Sequence, residues 1–316
     1  MRFNPKARLD TRRVRDTGGS RGRAGGRTAG AARGGSGLPV SPGALGGGGI
    51  GLLVVVGVVL LLVQVLGGGG GGSGAVDGAL DTSRVGGSDR YASCATGADA
   101  QASADCARVA VENSLTDFWT DELGSRFRAE EALVTFASSV DTGCGAASSA
   151  VGPFYCPADE TIYLDTDFFD EVLERRLGGP DGGFVEPYVL AHEYGHHVQK
   201  VLGTMGRVRT QQGPTSDAVR LELQADCYAG MWASAATTTD DDSGEALVSE
   251  LTEQDVQQAL AAAQAVGDDR IQERTQGQVT EETWTHGSAA SRMRWFTTGF
   301  ERGSLEACDT FAATSL

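Results

Sequence analysis

The sequence predicts an α+β fold in which helices dominate, with a small sheet and one helix carrying a His-Glu-x-x-His pattern. Three observations carry that expectation. Only short β-branched and aromatic runs read as strands, and they lie before residue 166. Capped helical segments follow one another after residue 185, and three of the four histidines fall in the window 192–197.

Taken from the N-terminus, the formal net charge of −16 over 316 residues hides a split. Residues 1–40 hold ten Lys/Arg against Asp10 and Asp16, residues 34–76 hold no charge, and residues 77–316 hold the other 16 basic and 40 acidic groups. This division reads as a basic, disordered cytoplasmic tail (1–40), an apolar segment and an acidic globular part. Residues 50–66 are apolar except for Gly51, Gly57 and Gln64. Counted from Ala44, the run can cross a hydrocarbon core of roughly 30 Å at about 1.5 Å per residue. A transmembrane helix at 44–66 is expected, with the Arg-rich N-terminus inside and the body outside the cytoplasmic membrane. A signal peptide cleaved near Ser73-Gly74-Ala75 is the alternative, and a forty-residue basic flank is long for one. Arg12-Arg13 lies too far from the apolar run to serve as a twin-arginine signal.

Residues 67–90 read as a glycine-rich linker and 91–316 as the extracytoplasmic domain, whose length of about 225 residues is ample for one core. Its acidity excludes phosphate-backbone binding as its main business, so no nucleic acid is expected as a partner. Within it, residues 99–123 read as a helix, with Val109, Leu115 and Phe118 among the apolar positions. Residues 133–137 and Thr161–Asp165 are strand candidates, and 167–177 is a helix stopped by Gly178-Gly179-Pro180. Four more helices follow: 185–202 ended by Gly203, Asp217–Ala235 capped by Ser216, 253–266 opened by Thr252 with Asp255, and 288–301 closed by Gly303. The tract 237–243 is a solvated loop, since it lacks the spacing of a calcium loop. Six cysteines fit an oxidising compartment, and of the fifteen possible pairings Cys94–Cys106, Cys144–Cys156 and Cys227–Cys308 is the expected set.

The chemistry concentrates in His192-Glu193-Tyr194-Gly195-His196-His197. On a helix, His192 and His196 leave one face about 6 Å apart along the axis, a spacing that suits two imidazoles on one zinc ion. Glu193 is rotated roughly 100° from His192, where it can take a proton from water activated by the metal. Glu222, on the next helix among Leu221, Leu223, Tyr228 and Trp232, is the expected third ligand. Asp226, four residues on, shares its face and would accept the free N–H of a zinc-bound histidine. His197 points too far around the helix to reach the same metal and is expected to pack or support. Gly195 would permit close approach of another backbone. His286 would either donate to the oxyanion of a tetrahedral intermediate or serve as a helix-entry residue bonded to a carboxylate. Thr161–Asp165 would be either an edge strand for an extended peptide or an ordinary internal strand.

The blocks GCGAASSAVGPFYCPADETIYLD, AHEYGHHVQ, LELQADCYAGMWA, GDDRIQ and THGSAASRMRWFTTG together resemble the putative neutral zinc metallopeptidase family of bacteria, over roughly residues 129–310. The HEYGHH and ELQAD pair also looks like the zincins that use a glutamate ligand. The resemblance implies a zincin-like fold, zinc at His192, His196 and Glu222, and Glu193 as general base. The expected activity is hydrolysis of peptide bonds in a peptide or protein substrate, at the outer side of the cytoplasmic membrane. Two other readings use the same site: a zinc-stabilised envelope scaffold with little turnover, against which Glu193 speaks, and an amidase acting on cell-wall peptides. Neither oligomeric state nor cleavage preference follows from the residues.

Overall fold

The computed structural model describes residues 1–19, 89–149 and 151–316. The chain opens with β1 (Arg2–Phe3) and β2 (Val14–Gly19) and resumes with α1 (Gly97–Ala102) and α2 (Ala104–Leu123). The helix expected over 99–123 is thus broken at Ser103, whose extended backbone ends one helix and starts the next. Strands β3 (Ala132–Ala137), β4 (Ser139–Thr142), β5 (Gly145–Ser148), β6 (Phe154–Cys156) and β7 (Thr161–Asp165) follow. A π-helical turn, Phe169–Glu174, stands where a regular helix was expected. The second half holds α3 (Val185–Val201), α4 (Asp217–Ala235), β8 (Val248–Glu250), α5 (Glu253–Ala265), α6 (Asp268–Gln276) and α7 (Ala289–Arg302). The caps act where the sequence put them. Ser216 accepts from the Val219 amide, Thr252 and Asp255 form a reciprocal box, and Gly303 closes α7 in the left-handed region at φ 55°.

The main sheet has the order β2-β3-β7-β6, parallel except for the antiparallel β6–β7 pair. All five residues of β7 are buried and both its edges are paired, so Thr161–Asp165 is internal, and among the described residues the edge strand beside the helices is β6. Helices α3, α4 and α7 pack into the main core, and two glycines set the α4–α7 distance. A Cβ at Gly299 would lie 1.8 Å from the Cys227 carbonyl oxygen, and one at Gly230 2.1 Å from that of Phe296. The three disulfides pair as expected, and Cys227–Cys308 closes a separation of 81 residues between α4 and the C-terminal segment.

The basic tail departs from expectation. Residues 1–19 are not a disordered appendage: β2 pairs in parallel with β3, β1 pairs with β8, and Phe3, Ala7 and Val14 are buried. The terminal ammonium bonds Asp255 at 2.5 Å, and Arg13 lies 2.8 Å from Glu112 and 3.7 Å from Glu130. Composition suggested solvation because the partners of these cations lie about a hundred residues or more away in sequence. Residues 19 and 89 leave the same folded body, whereas a single crossing at 44–66 would put them on opposite faces of a membrane. The expected single-pass arrangement, N-terminus inside and domain outside, is not supported by that packing. The run 44–66 and the linker up to residue 88 lie outside the described residues. Among the described residues no helix is long and apolar enough to cross a membrane.

Candidate metal centre

Helix α3 carries His192 and His196 one turn apart on its inner face, with ring centroids 4.9 Å apart. Gly195 lets α4 approach: a Cβ there would lie 3.1 Å from Cα of Ala225. The crossing brings Glu222 opposite both imidazoles. Its Oε2 lies 3.2 Å from Nε2 of His192 and its Oε1 3.5 Å from Nε2 of His196. One ligand atom from each of the three residues falls within 4.8 Å of the others.

The second nitrogen of each ring fixes the tautomer. Nδ1 of His192 lies 2.9 Å from Oδ1 of Asp226, and Nδ1 of His196 lies 2.9 Å from Oε1 of Gln199. Both oxygens only accept, so both Nδ1 atoms donate and both Nε2 atoms face Glu222. The Gln199 orientation is fixed in turn, because its Nε2 donates to the Leu221 carbonyl at 2.7 Å. These three ligand atoms converge in a buried space, where a proton on His192 Nε2, or a cation in its place, balances the Glu222 carboxylate. Burial disfavours charge on His192, yet Asp226 and Glu222 carry its pKa up to about 10. Burial likewise opposes ionisation of Glu222, and His196, His286 and His192 hold it well below the usual range. Buried nitrogen and carboxylate donors with one open side suit a divalent ion such as zinc.

Around this group the side chains form a supporting network. Asp226 accepts from Tyr188 Oη at 2.6 Å, from His192, and from Arg292 Nε and Nη2 at 2.8 and 2.9 Å. Burial opposes its charge, but Arg292 and His192 lower its pKa to about 2. Arg292 was not legible as a site residue; its one signal was a lone arginine on the otherwise buried face of α7. Glu193 is buried and lines the cavity beside the histidines. Burial raises its pKa, while His196 and His192 oppose the rise. His286 lines the same cavity, with Nδ1 2.8 Å from Thr285 Oγ1 and 3.4 Å from Asp268. Asp268 Oδ2 anchors that loop by accepting the backbone N–H groups of Thr285, His286 and Gly287 at 2.7 to 2.9 Å.

His197 stands apart from the metal group. Its Nε2 donates to the Arg128 carbonyl at 2.8 Å, which leaves Nδ1 to accept from Tyr155 Oη at 3.1 Å. Burial pushes its pKa down to about 4, so this neutral ring ties α3 to β6.

A family model described as "Putative neutral zinc metallopeptidase" matches residues 8–311. That span reaches further than the 129–310 similarity read from the motifs and takes in most of the N-terminal segment. An uncharacterized protein of Mycobacterium tuberculosis is 52% identical over 225 residues, 71% of this chain and 76% of the relative. The uncharacterized protein YpfJ of Escherichia coli K12 is 42% identical over 199 residues, 60% of this chain and 64% of the relative. No solved structure matches.

Proposed function

We propose that this chain, which belongs to the putative neutral zinc metallopeptidase family, is a zinc-dependent peptidase of zincin-like fold. One observation carries the reading: two imidazole Nε2 atoms and the Glu222 carboxylate converge on a cavity that Glu193 also lines. His192, His196 and Glu222 would hold the ion. Bound zinc supplies Lewis acidity, polarising a carbonyl oxygen and acidifying water. Glu193 takes the proton from the attacking water and passes it to the leaving amine. Its burial suits this role, since a raised pKa brings a carboxylate closer to operating pH. His286, held by Asp268 and Thr285, is the donor toward the oxygen that gains charge. Asp226, itself held by Arg292, orients His192 and keeps its Nδ1 proton in place.

Among the described residues β6 is the edge strand of the main sheet, and its Phe154 and Tyr155 line the cavity with the Tyr155 N–H bonded to Glu193, which sets an edge strand beside an extended peptide bound there. All six cysteines pair, which suits an oxidising compartment outside the cytoplasm. The test is hydrolysis of unfolded casein with and without chelator. The expected result is zinc-restorable cleavage by the wild type, and none by Glu193→Gln although that variant still binds zinc. Zinc binding and chelator-induced unfolding without cleavage under any condition would favour the scaffold reading instead.

A further inference from the structure

The cavity beside the three donors has a volume of about 160 Å³. Its wall away from the metal group is apolar. The π-helical turn and its neighbours supply Phe168, Val172 and Leu177; α3 supplies Val189, and the junction of α5 and α6 supplies Val266 and Ile271. Val189 sits three residues before His192 and seven before His196, so it continues the metal-facing stripe of α3. All of these except Leu177 are only half-buried, although the rest of the apolar core is nearly closed to solvent. That volume, which includes the space beside the metal donors, is of the size of a cavity of about 150 Å³ that accepts benzene when lined by Leu, Ile and Phe.

The ionisable groups of the cavity are already matched. Asp268 accepts three backbone N–H groups and faces His286, and Arg292 is bonded to Asp226. What remains is the metal group with Glu193, at the other side. A charged side chain entering the apolar wall would lose its hydration and find no counter-charge, whereas an aliphatic or aromatic one would fill the space.

Resting on the peptidase reading, we infer that this wall is the specificity pocket of the enzyme. It takes a large apolar residue of the substrate next to the scissile bond, and it rejects acidic and basic ones.

The test titrates zinc-loaded Glu193→Gln protein calorimetrically with acetyl-Gly-Xaa-Ala-amide peptides in which Xaa is Phe, Leu, Gly, Lys or Asp. Phe and Leu should bind about tenfold to a hundredfold tighter than Gly, as expected for burying one such side chain, with Lys and Asp weakest. Ile271→Asp or Val172→Asp, each at a half-buried wall position, should move the preference toward Lys. Equal, undetectable or charge-preferring binding across the series overturns the pocket. Sequencing of wild-type casein digests separates the two claims. Cleavage with no apolar bias beside the cut overturns the pocket and leaves the peptidase standing. Apolar-selective binding without any cleavage upholds the pocket and overturns the peptidase.

Discussion

Arg13→Ala tests whether the N-terminal segment is built into the domain. Arg13 lies 2.8 Å from Glu112 and 3.7 Å from Glu130, and its side chain is 27% exposed against 2% and 0% for the two carboxyls. Glu112 has further donors in Asn113 and Thr116, at 2.6 and 3.1 Å. Neither Glu130 oxygen has a hydrogen-bond partner among the described residues. Removing one partner of a fully buried ion pair costs about 3–5 kcal/mol. Partial exposure of Arg13 and the ability of Glu130 to stay protonated reduce this to about 2–4 kcal/mol. Urea denaturation at neutral pH should show the loss, with the melting temperature lowered by roughly 2–4 °C per kcal/mol. Burial and the neighbouring Glu112 already hold the Glu130 pKa well above the usual carboxylate range. The penalty should therefore shrink as the pH falls and Glu130 takes up its proton, and Arg13→Ala/Glu130→Gln should recover part of it. A neutral-pH change below about 0.5 kcal/mol, the same at low pH, would refute docking of residues 1–19 against α2.

Three further outcomes follow from single contacts. Burial, with Asp241, Asp242 and Glu112 nearby, raises the Asp117 pKa from 3.8 to about 7. The folded state thus keeps a proton that the unfolded chain has lost, and stability falls as pH rises through that window. Asp117→Asn should stabilise at pH 8 and not at pH 3.5, as read by thermal melting at the two values. Arg292→Ala leaves Asp226 buried without its cation and should weaken zinc binding about tenfold to a hundredfold in a chelator competition, with the α3 histidines still present. Cys227→Ser/Cys308→Ser opens a loop of 81 residues and should cost about 4.5 kcal/mol in equilibrium unfolding, if loop entropy governs.

How far the sequence spoke depended on the range of the interaction. Helices α3, α4, α5 and α7 were legible because caps and apolar spacing act within a few residues, and Ser216, Thr252 and Gly303 sit where these predict. The grouping of His192, His196 and Glu222 was legible because an i, i+4 histidine pair has one face and the next helix set Glu222 among apolar residues, with Asp226 one turn on along the same face. Strands β1 and β2 were not, because their stability comes from β8 and β3, more than a hundred residues away, and local composition pointed to a tail. Helix α6 was missed since its apolar content is low and only Asp268 and Gln272 are buried. Arg292 was missed because its partner Asp226 lies 66 residues earlier.

The most direct measurement is zinc content by mass spectrometry on purified wild-type and Glu222→Ala protein, each dialysed against metal-free buffer at neutral pH. The wild type should retain one zinc ion per chain, and the variant, verified as folded by circular dichroism, should retain almost none. A folded Glu222→Ala protein with full zinc content, or a wild type that cannot be loaded with zinc, would contradict a centre built from His192, His196 and Glu222.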